Sequence, residues 1–260
     1  MSELVRLEKK EGVGEIIMNS PPANAMSKEL LEQLSEIVDQ IRDDREVRAV
    51  LLRSEVPKIF MAGADLKMML SLGRDEFKQY IKRAQDIYNS LESLPQPTIA
   101  VISGHALGGG CELTLCCDFR FMSRKKARIG LPEVTLGLLP GAGGTQRLPR
   151  LIGMAKAREL LIWGSQLTGE DALEIGLVDK VFEPDELLPE SIKIAKELAT
   201  KATLAIGKIK ECLRVPPQEI LSRGLEQELE GITYLFADTE DTKEGIAAFN
   251  EKRAPKYRGR

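Results

Sequence analysis

A single histidine, His105, in 260 residues removes most imidazole chemistry at the outset. A Ser-His-Asp or Cys-His hydrolase would have to use that one ring as its base. His105 stands between Gly104 and Ala106, in a stretch expected to be a turn rather than a place where a base is held. Cysteine is almost as scarce. Cys111, Cys116, Cys117 and Cys212 make no Cys-x-x-Cys pair, and with one histidine they offer no metal-ligand spacing, so they read as reduced structural residues and no metal site is expected. No run reaches the roughly 18 consecutive apolar residues of a membrane span. Residues 1–11 are charged rather than signal-like, so a cytoplasmic protein with no membrane partner is expected. A dominant charge is missing too: 37 basic and 40 acidic side chains leave a formal charge of -3, with no global pull toward nucleic acid or anionic lipid. The phosphate-cradling pattern Gly-x-x-x-x-Gly-Lys-Ser/Thr is absent, and Gly-x-Gly-x-x-Gly does not follow a strand.

The chain is 43% hydrophobic and 30% charged, a balance that suits one large globular unit or a core with a smaller appendage. Residues 4–7 and 15–18 flank Gly12-Val13-Gly14 and predict an opening hairpin. Leu30, Leu31, Leu34, Ile37, Val38 and Ile41 recur at helical spacing behind Ser27, a residue suited to cap the helix they define. Residues 47–52, 98–102 and 119–122 read as strands, and 65–72, 77–94 and 111–117 as helices. That alternation predicts an α/β core with parallel pairing. Beyond about residue 195 the strand signals end, leaving helical stretches at 202–213, 218–236 and 242–253, the first two separated by Pro216-Pro217. The expected division is therefore an α/β core over 1–195 and a helical subdomain over 196–260.

Three glycine-rich stretches hold the chemistry. Gly108-Gly109-Gly110 opens a helix, where glycine lets a backbone N–H approach a ligand and the helix end adds partial positive charge. Phosphate binding and oxyanion stabilisation both use that arrangement. Met61-Ala62-Gly63-Ala64-Asp65 enters a second helix that Asp65 can cap, leaving the N–H of Ala64 available. The third stretch runs from Leu139 through Gln146, preceded by Gly130-Leu131-Pro132-Glu133. Its proline and glycine density predicts irregular backbone, where function is often held. Glu112 and Glu133 are the two acids singled out by their places in these stretches.

Together these segments resemble the crotonase (enoyl-CoA hydratase/isomerase) superfamily over nearly the whole chain. The residues that carry the resemblance are Phe60 through Lys67, Ala106 through Leu113, Leu131-Pro132-Glu133 with Gly137, and Pro140 through Leu148. Downstream, Leu167 through Ala172, Gly176-Leu177-Val178 and Ala248 through Arg253 also match. The resemblance implies a spiral of ββα units with a helical C-terminal trimerisation region, assembling as a homotrimer or homohexamer. It implies that the N–H groups of Ala64 and Gly109 polarise a thioester carbonyl. Glu112 would assist a water as base, and Glu133 would supply the α-proton. Backbone at Ala64, Asp65, Leu66 and Lys67, with the side chains of Lys67, Phe249 and Lys252, would meet coenzyme A. That group is part of the substrate, and no separate cofactor is implied. Relatives that isomerise often keep one of the two acids; both are here, so hydration of a trans-2-enoyl-CoA in fatty-acid or branched-chain acyl-CoA breakdown is expected over isomerisation. A 3-methylglutaconyl-CoA substrate stays among the alternatives.

One branched-chain subgroup of this superfamily binds AU-rich RNA through a lysine-rich helix. The matching region here carries Lys28, Arg42 and Arg45 against Glu29, Glu32, Glu36, Asp39, Asp43, Asp44 and Glu46. A face of that sign repels phosphate, so no nucleic-acid partner is expected.

Overall fold

The computed structural model describes residues 3–124, 127–214 and 238–260. The helix expected at 218–236, and the Pro216-Pro217 break before it, lie outside the described residues.

β1 (Val5–Lys10) and β2 (Val13–Met18) form an antiparallel hairpin in continuous register from Val5↔Met18 to Lys10↔Val13. The connection is the two-residue Glu11-Gly12, both at positive φ, one step earlier than the turn read from the sequence. The expected helix follows as α1 (Lys28–Asp43), with the Ser27 hydroxyl accepting from the Leu30 N–H at 3.1 Å. All six apolar residues that define its stripe are buried.

From there each circuit of the chain delivers a strand to each of two sheets and then returns through helix. The first circuit is β3 (Ala49–Ser54), β4 (Ile59–Met61), α2 (Leu66–Ser71) and α3 (Arg74–Glu92). The second is β5 (Thr98–Ile102), β6 (His105–Leu107) and α4 (Gly109–Thr114). The third is β7 (Phe119–Ser123), β8 (Ile129–Gly130), a 3₁₀ turn (Glu133–Leu136), α5 (Gly144–Ile152) and α6 (Met154–Trp163). β9 (Gln166–Leu167), α7 (Gly169–Glu174), β10 (Lys180–Phe182) and α8 (Pro184–Ala199) complete the core. The large sheet has the order β1-β2-β3-β5-β7-β10, parallel beyond its opening hairpin; the small one has the order β4-β6-β8-β9. This is the ββα spiral. α9 (Thr203–Leu213) and α10 (Glu240–Glu251) follow.

The large sheet is covered on both faces at its centre, which is why β3 and β5 read as largely apolar runs instead of alternating ones. Val50 and Leu52 face the main core with α1 and α3, while Ala49 and Leu51 face Leu187, Ala195 and Ala199 of α8. Each valine or leucine among them contributes about 1.5–3 kcal/mol by leaving water. α8 crosses residue 195, so the expected boundary falls within a helix packed on the sheet. His105 also departs from expectation. It lies in β6, paired with Ile59 of β4 and donating its N–H to the Lys58 carbonyl at 2.9 Å. Three residues between glycine-rich segments are too short to give a strand pattern. Among the described residues no helix is long and apolar enough to cross a membrane.

Candidate active site

The small sheet ends where two glycine segments touch. Asp65 caps α2 through its side chain, which accepts from the Met68 N–H at 3.0 Å, and so fixes Ala64 at the helix entrance. Ala64 bridges to Met26, whose N–H donates to the Gly63 carbonyl at 2.9 Å. Gly63 takes φ 97, a conformation side chains rarely adopt, and a Cβ there would lie a tight 3.2 Å from the Leu107 carbonyl oxygen, so glycine favours this approach. Gly108, at φ 55, turns the chain into α4. Gly109 is the first residue of that helix, and no carbonyl one turn earlier can receive its N–H. Behind it, the buried Tyr88 hydroxyl donates to the Gly109 carbonyl at 2.9 Å, and the Tyr80 hydroxyl donates to that of Met26 at 2.5 Å.

One turn into α4, Glu112 is 2% exposed. Its Oε1 accepts two backbone N–H groups, from Ala142 at 2.7 Å and Gly144 at 2.8 Å. Burial pushes its carboxyl above the ordinary range, while those donors and the Arg147 guanidinium pull the other way. Glu133 begins the 3₁₀ turn across from it. Its Oε1 would stand 3.2 Å from a Cβ placed on Gly108, and its buried Oε2 has no hydrogen-bond partner. Burial, reinforced by the charge of Glu112, pushes this carboxyl up to about 7. One acid is thus held by donors that favour its anion and the other keeps its proton to near neutrality. Such a pair can divide the tasks of base and acid.

Ala64, Gly109, Glu112 and Glu133 line one cavity of about 410 Å³. Its remaining wall is mainly apolar, with Met69, Phe77, Ile81, Leu136, Leu138 and Leu139. Two of these come from α3 at helical spacing, Phe77 and Ile81, and Gln85 continues the same line. The cavity lies where a strand-ending loop and a helix entrance converge, a common place for small-molecule sites.

The full length of the chain supports one relationship. Residues 8–260 match the sequence profile of the family described as enoyl-CoA hydratase/isomerase. The chain belongs to that family. A crotonyl-CoA hydratase of Syntrophomonas wolfei is 40% identical over 256 residues, 98% of each chain. The mitochondrial methylglutaconyl-CoA hydratase of Mus musculus is also 40% identical, over 91% of this chain and 76% of that one. The crystal structure of an enoyl-CoA hydratase from Bacillus anthracis superposes with a TM-score of 0.92 at 39% identity, covering 99% of this chain and 100% of the other.

For this member of the enoyl-CoA hydratase/isomerase family, the structure brings together Ala64, Gly109, Glu112 and Glu133. Asp65 serves as the cap of α2. Lys252 is exposed at φ 54, just beyond α10, and does not line the cavity. The side chains of Leu66, Lys67 and Phe249 lie outside the described residues. Met26, Phe77, Ile81, Gln85, Leu136 and Leu138 also line the cavity and belong to no glycine motif; the i, i+4, i+8 spacing of Phe77, Ile81 and Gln85 is the one local signal that they share a face. The cysteines take no part. Cys111, Cys116 and Cys117 are buried, and burial pushes all three thiols up, that of Cys117 to about 12, which keeps them protonated and unreactive.

Proposed function

We propose that this protein hydrates a short, apolar trans-2-enoyl-CoA to the 3-hydroxyacyl-CoA. The observation that carries the reading is the pair of carboxyls, Glu112 and Glu133, facing one cavity: burial raises both, and two loop N–H groups and Arg147 offset part of that rise for Glu112. The thioester oxygen lies between the N–H groups of Ala64 and Gly109, where negative charge gathers as the enolate-like state develops. Fixed backbone donors at such a position are worth roughly 3–4 kcal/mol each. Glu112 accepts the proton of a water that attacks the β-carbon. Glu133 gives a proton to the α-carbon, and in the reverse direction the roles exchange.

The acyl chain extends along Met69, Phe77, Ile81 and Leu136. An aliphatic tail gains by burial there, about 0.8 kcal/mol for each methylene. A second carboxylate, as in a methylglutaconyl chain, would enter that apolar wall with no cation lining it among the described residues, which disfavours it. Backbone at Asp65 and Leu66, together with Lys67, Phe249 and Lys252, receives the coenzyme A portion, lysine suiting phosphate as a flexible point charge. Self-association as a trimer or hexamer fits the exposed apolar side chains of α6, Met154, Ile162 and Trp163, and Leu213 of α9. The solvent face of α1 carries Glu29, Glu32, Glu36 and Asp39, which argues against a nucleic-acid partner in a cytoplasmic enzyme.

Product analysis tests the proposal. Crotonyl-CoA should yield 3-hydroxybutyryl-CoA, with methylglutaconyl-CoA a poor substrate. Rapid conversion of a 3-enoyl-CoA to its 2-enoyl isomer, with crotonyl-CoA left unhydrated, would replace hydration by isomerisation.

A further inference from the structure

We propose, building on Glu112 as the hydration base, that Gln85, Asn89 and Glu92 of α3 act with Arg147 of α5 as a positioning brace that sets the direction and charge of the Glu112 carboxylate. The three α3 residues stand at i, i+4 and i+7, on one helix face. Gln85 Nε2 donates to the Gly141 carbonyl at 2.7 Å. That carbonyl shares a rigid peptide plane with the Ala142 N–H, the group that donates to Glu112 Oε1. Holding one end of the plane therefore aims the other.

Arg147 grips the next peptide. Its Nη1 donates to the Ala142 carbonyl at 3.1 Å, while Nε and Nη2 reach Glu92 Oε2 at 3.0 and 2.8 Å and Nη2 reaches Asn89 Oδ1 at 2.5 Å. Gly143, at φ 114, makes room for this guanidinium: a Cβ there would lie 2.0 Å from Nη1. The Arg147 side chain is only 11% exposed. Its partner Glu92 is a third exposed, and a half-buried ion pair of this kind adds little stability, so its use behind the site calls for another reason. The groups acting on the Glu112 carboxyl differ in sign. Glu133 of the 3₁₀ turn is itself raised by the Glu112 charge and opposes it only once ionised, the hydroxyls of Tyr80 and Tyr88 on α3 and the thiols of Cys111 and Cys116 are neutral, and Glu92 sits behind Arg147. Arg147 is the cation that acts on it. It both holds the donor turn and favours the ionised base.

The test separates positioning from a purely structural staple. Arg147→Ala should lower kcat by about 10- to 100-fold, with KM changing less than about threefold, because the base is misaimed and not the substrate. The acid limb of its pH profile should move up by about one unit, since the loss of a cation favours the protonated base. Millimolar guanidinium should restore part of the rate. Glu92→Gln, which keeps an acceptor oxygen, should shift both quantities in the same direction by less. The Glu112 carboxyl can also be titrated directly by carbon-13 NMR, assigned by its absence in Glu112→Gln. An upward shift in the Arg147 variant supports the brace whatever the reaction. Should that shift occur while Glu112→Gln still hydrates at the wild-type rate, Glu112 is not the base and the function reading alone fails. A lowered melting temperature with kcat and the Glu112 titration unchanged overturns the brace. If Arg147→Ala does not fold, an unchanged kcat and titration in folded Glu92→Gln overturns it equally.

Discussion

Glu112 and Glu133 face the same cavity from two walls built on different principles. The Glu112 side is tied down. Two N–H groups reach one carboxylate oxygen, the donor turn is held from α3, and the glutamate lies on a helix in the main core. On the Glu133 side, a four-residue 3₁₀ turn carries an acid with a buried, unpartnered oxygen, and its apolar neighbours Leu136, Leu138 and Leu139 are all exposed. A base that must hold a water in one orientation benefits from fixed surroundings. An acid that must keep its proton near neutrality benefits from burial, which outweighs the single backbone hydrogen bond that favours the Glu133 anion. The contrast teaches that two chemically identical side chains can be set apart by the backbone donors and the cation around them, and the proposed division of roles rests on that difference.

The largest test of that contrast is removal of either charge. Glu112→Gln and Glu133→Gln should each lower the hydration rate by about a hundredfold or more, with ligand affinity altered far less. Their stabilities should differ. Glutamine at 112 can still accept both N–H groups and should leave folding nearly intact. The carboxyl of Glu133 is raised in the folded state, so the native protein binds more protons than the unfolded chain between the ordinary value of 4.5 and about 7, and stability falls as pH rises through that window. Glu133→Gln should remove that fall. Thermal melts of wild type and variant across the window check it; parallel curves contradict the unpartnered environment.

Next in size is the pH dependence of kcat/KM. The proposed mechanism requires ionised Glu112 and protonated Glu133, so it places the alkaline limb near pH 7 and the acid limb above the usual carboxylate range. Because the carboxyls interact, the two limbs belong to the pair. A profile that stays flat well into the alkaline range contradicts the assignment of Glu133 as proton donor.

The motifs around both acids are legible in the sequence because backbone chemistry needs small residues in short contiguous runs: Gly63-Ala64-Asp65 and Gly108-Gly109-Gly110 stand out on composition alone. Ser27 and Asp65 announce their helices through cap chemistry that acts within three residues. What the sequence conceals acts across distance. The bond from Gln85 to Gly141 joins residues 56 apart, and that from Arg147 to Glu92 joins residues 55 apart; neither leaves a local pattern. The small sheet is equally hidden, for β8 and β9 have two residues each and no room for alternation. The spiral order of the strands follows from the family resemblance, not from periodicity.

The smallest effects separate the two walls by their glycines. Gly137 closes the 3₁₀ turn at φ 69 with nothing within 4 Å of an added Cβ, so Gly137→Ala should cost only the left-handed backbone penalty, about 1–2 kcal/mol. Gly143→Ala carries a positive-φ penalty of its own, at φ 114, and also places a methyl 2.0 Å from Arg147 Nη1, so the guanidinium must swing away from the Ala142 carbonyl and Glu92 and the loss should exceed that of Gly137→Ala by about 1 kcal/mol. Denaturant unfolding of the two variants measures the difference, and equal losses would erase the contrast between a braced wall and an open one.

The central claim is that two carboxyls act on one water in one turnover. A single turnover of crotonyl-CoA in water enriched in both oxygen-18 and deuterium measures this most directly. The account predicts oxygen-18 on the β-carbon and deuterium on the α-carbon of the same product molecules, with Glu112→Gln and Glu133→Gln each losing both labels together. Deuterium entering the α-carbon without oxygen-18 at the β-carbon, or either variant delivering both labels at the wild-type rate, would contradict it.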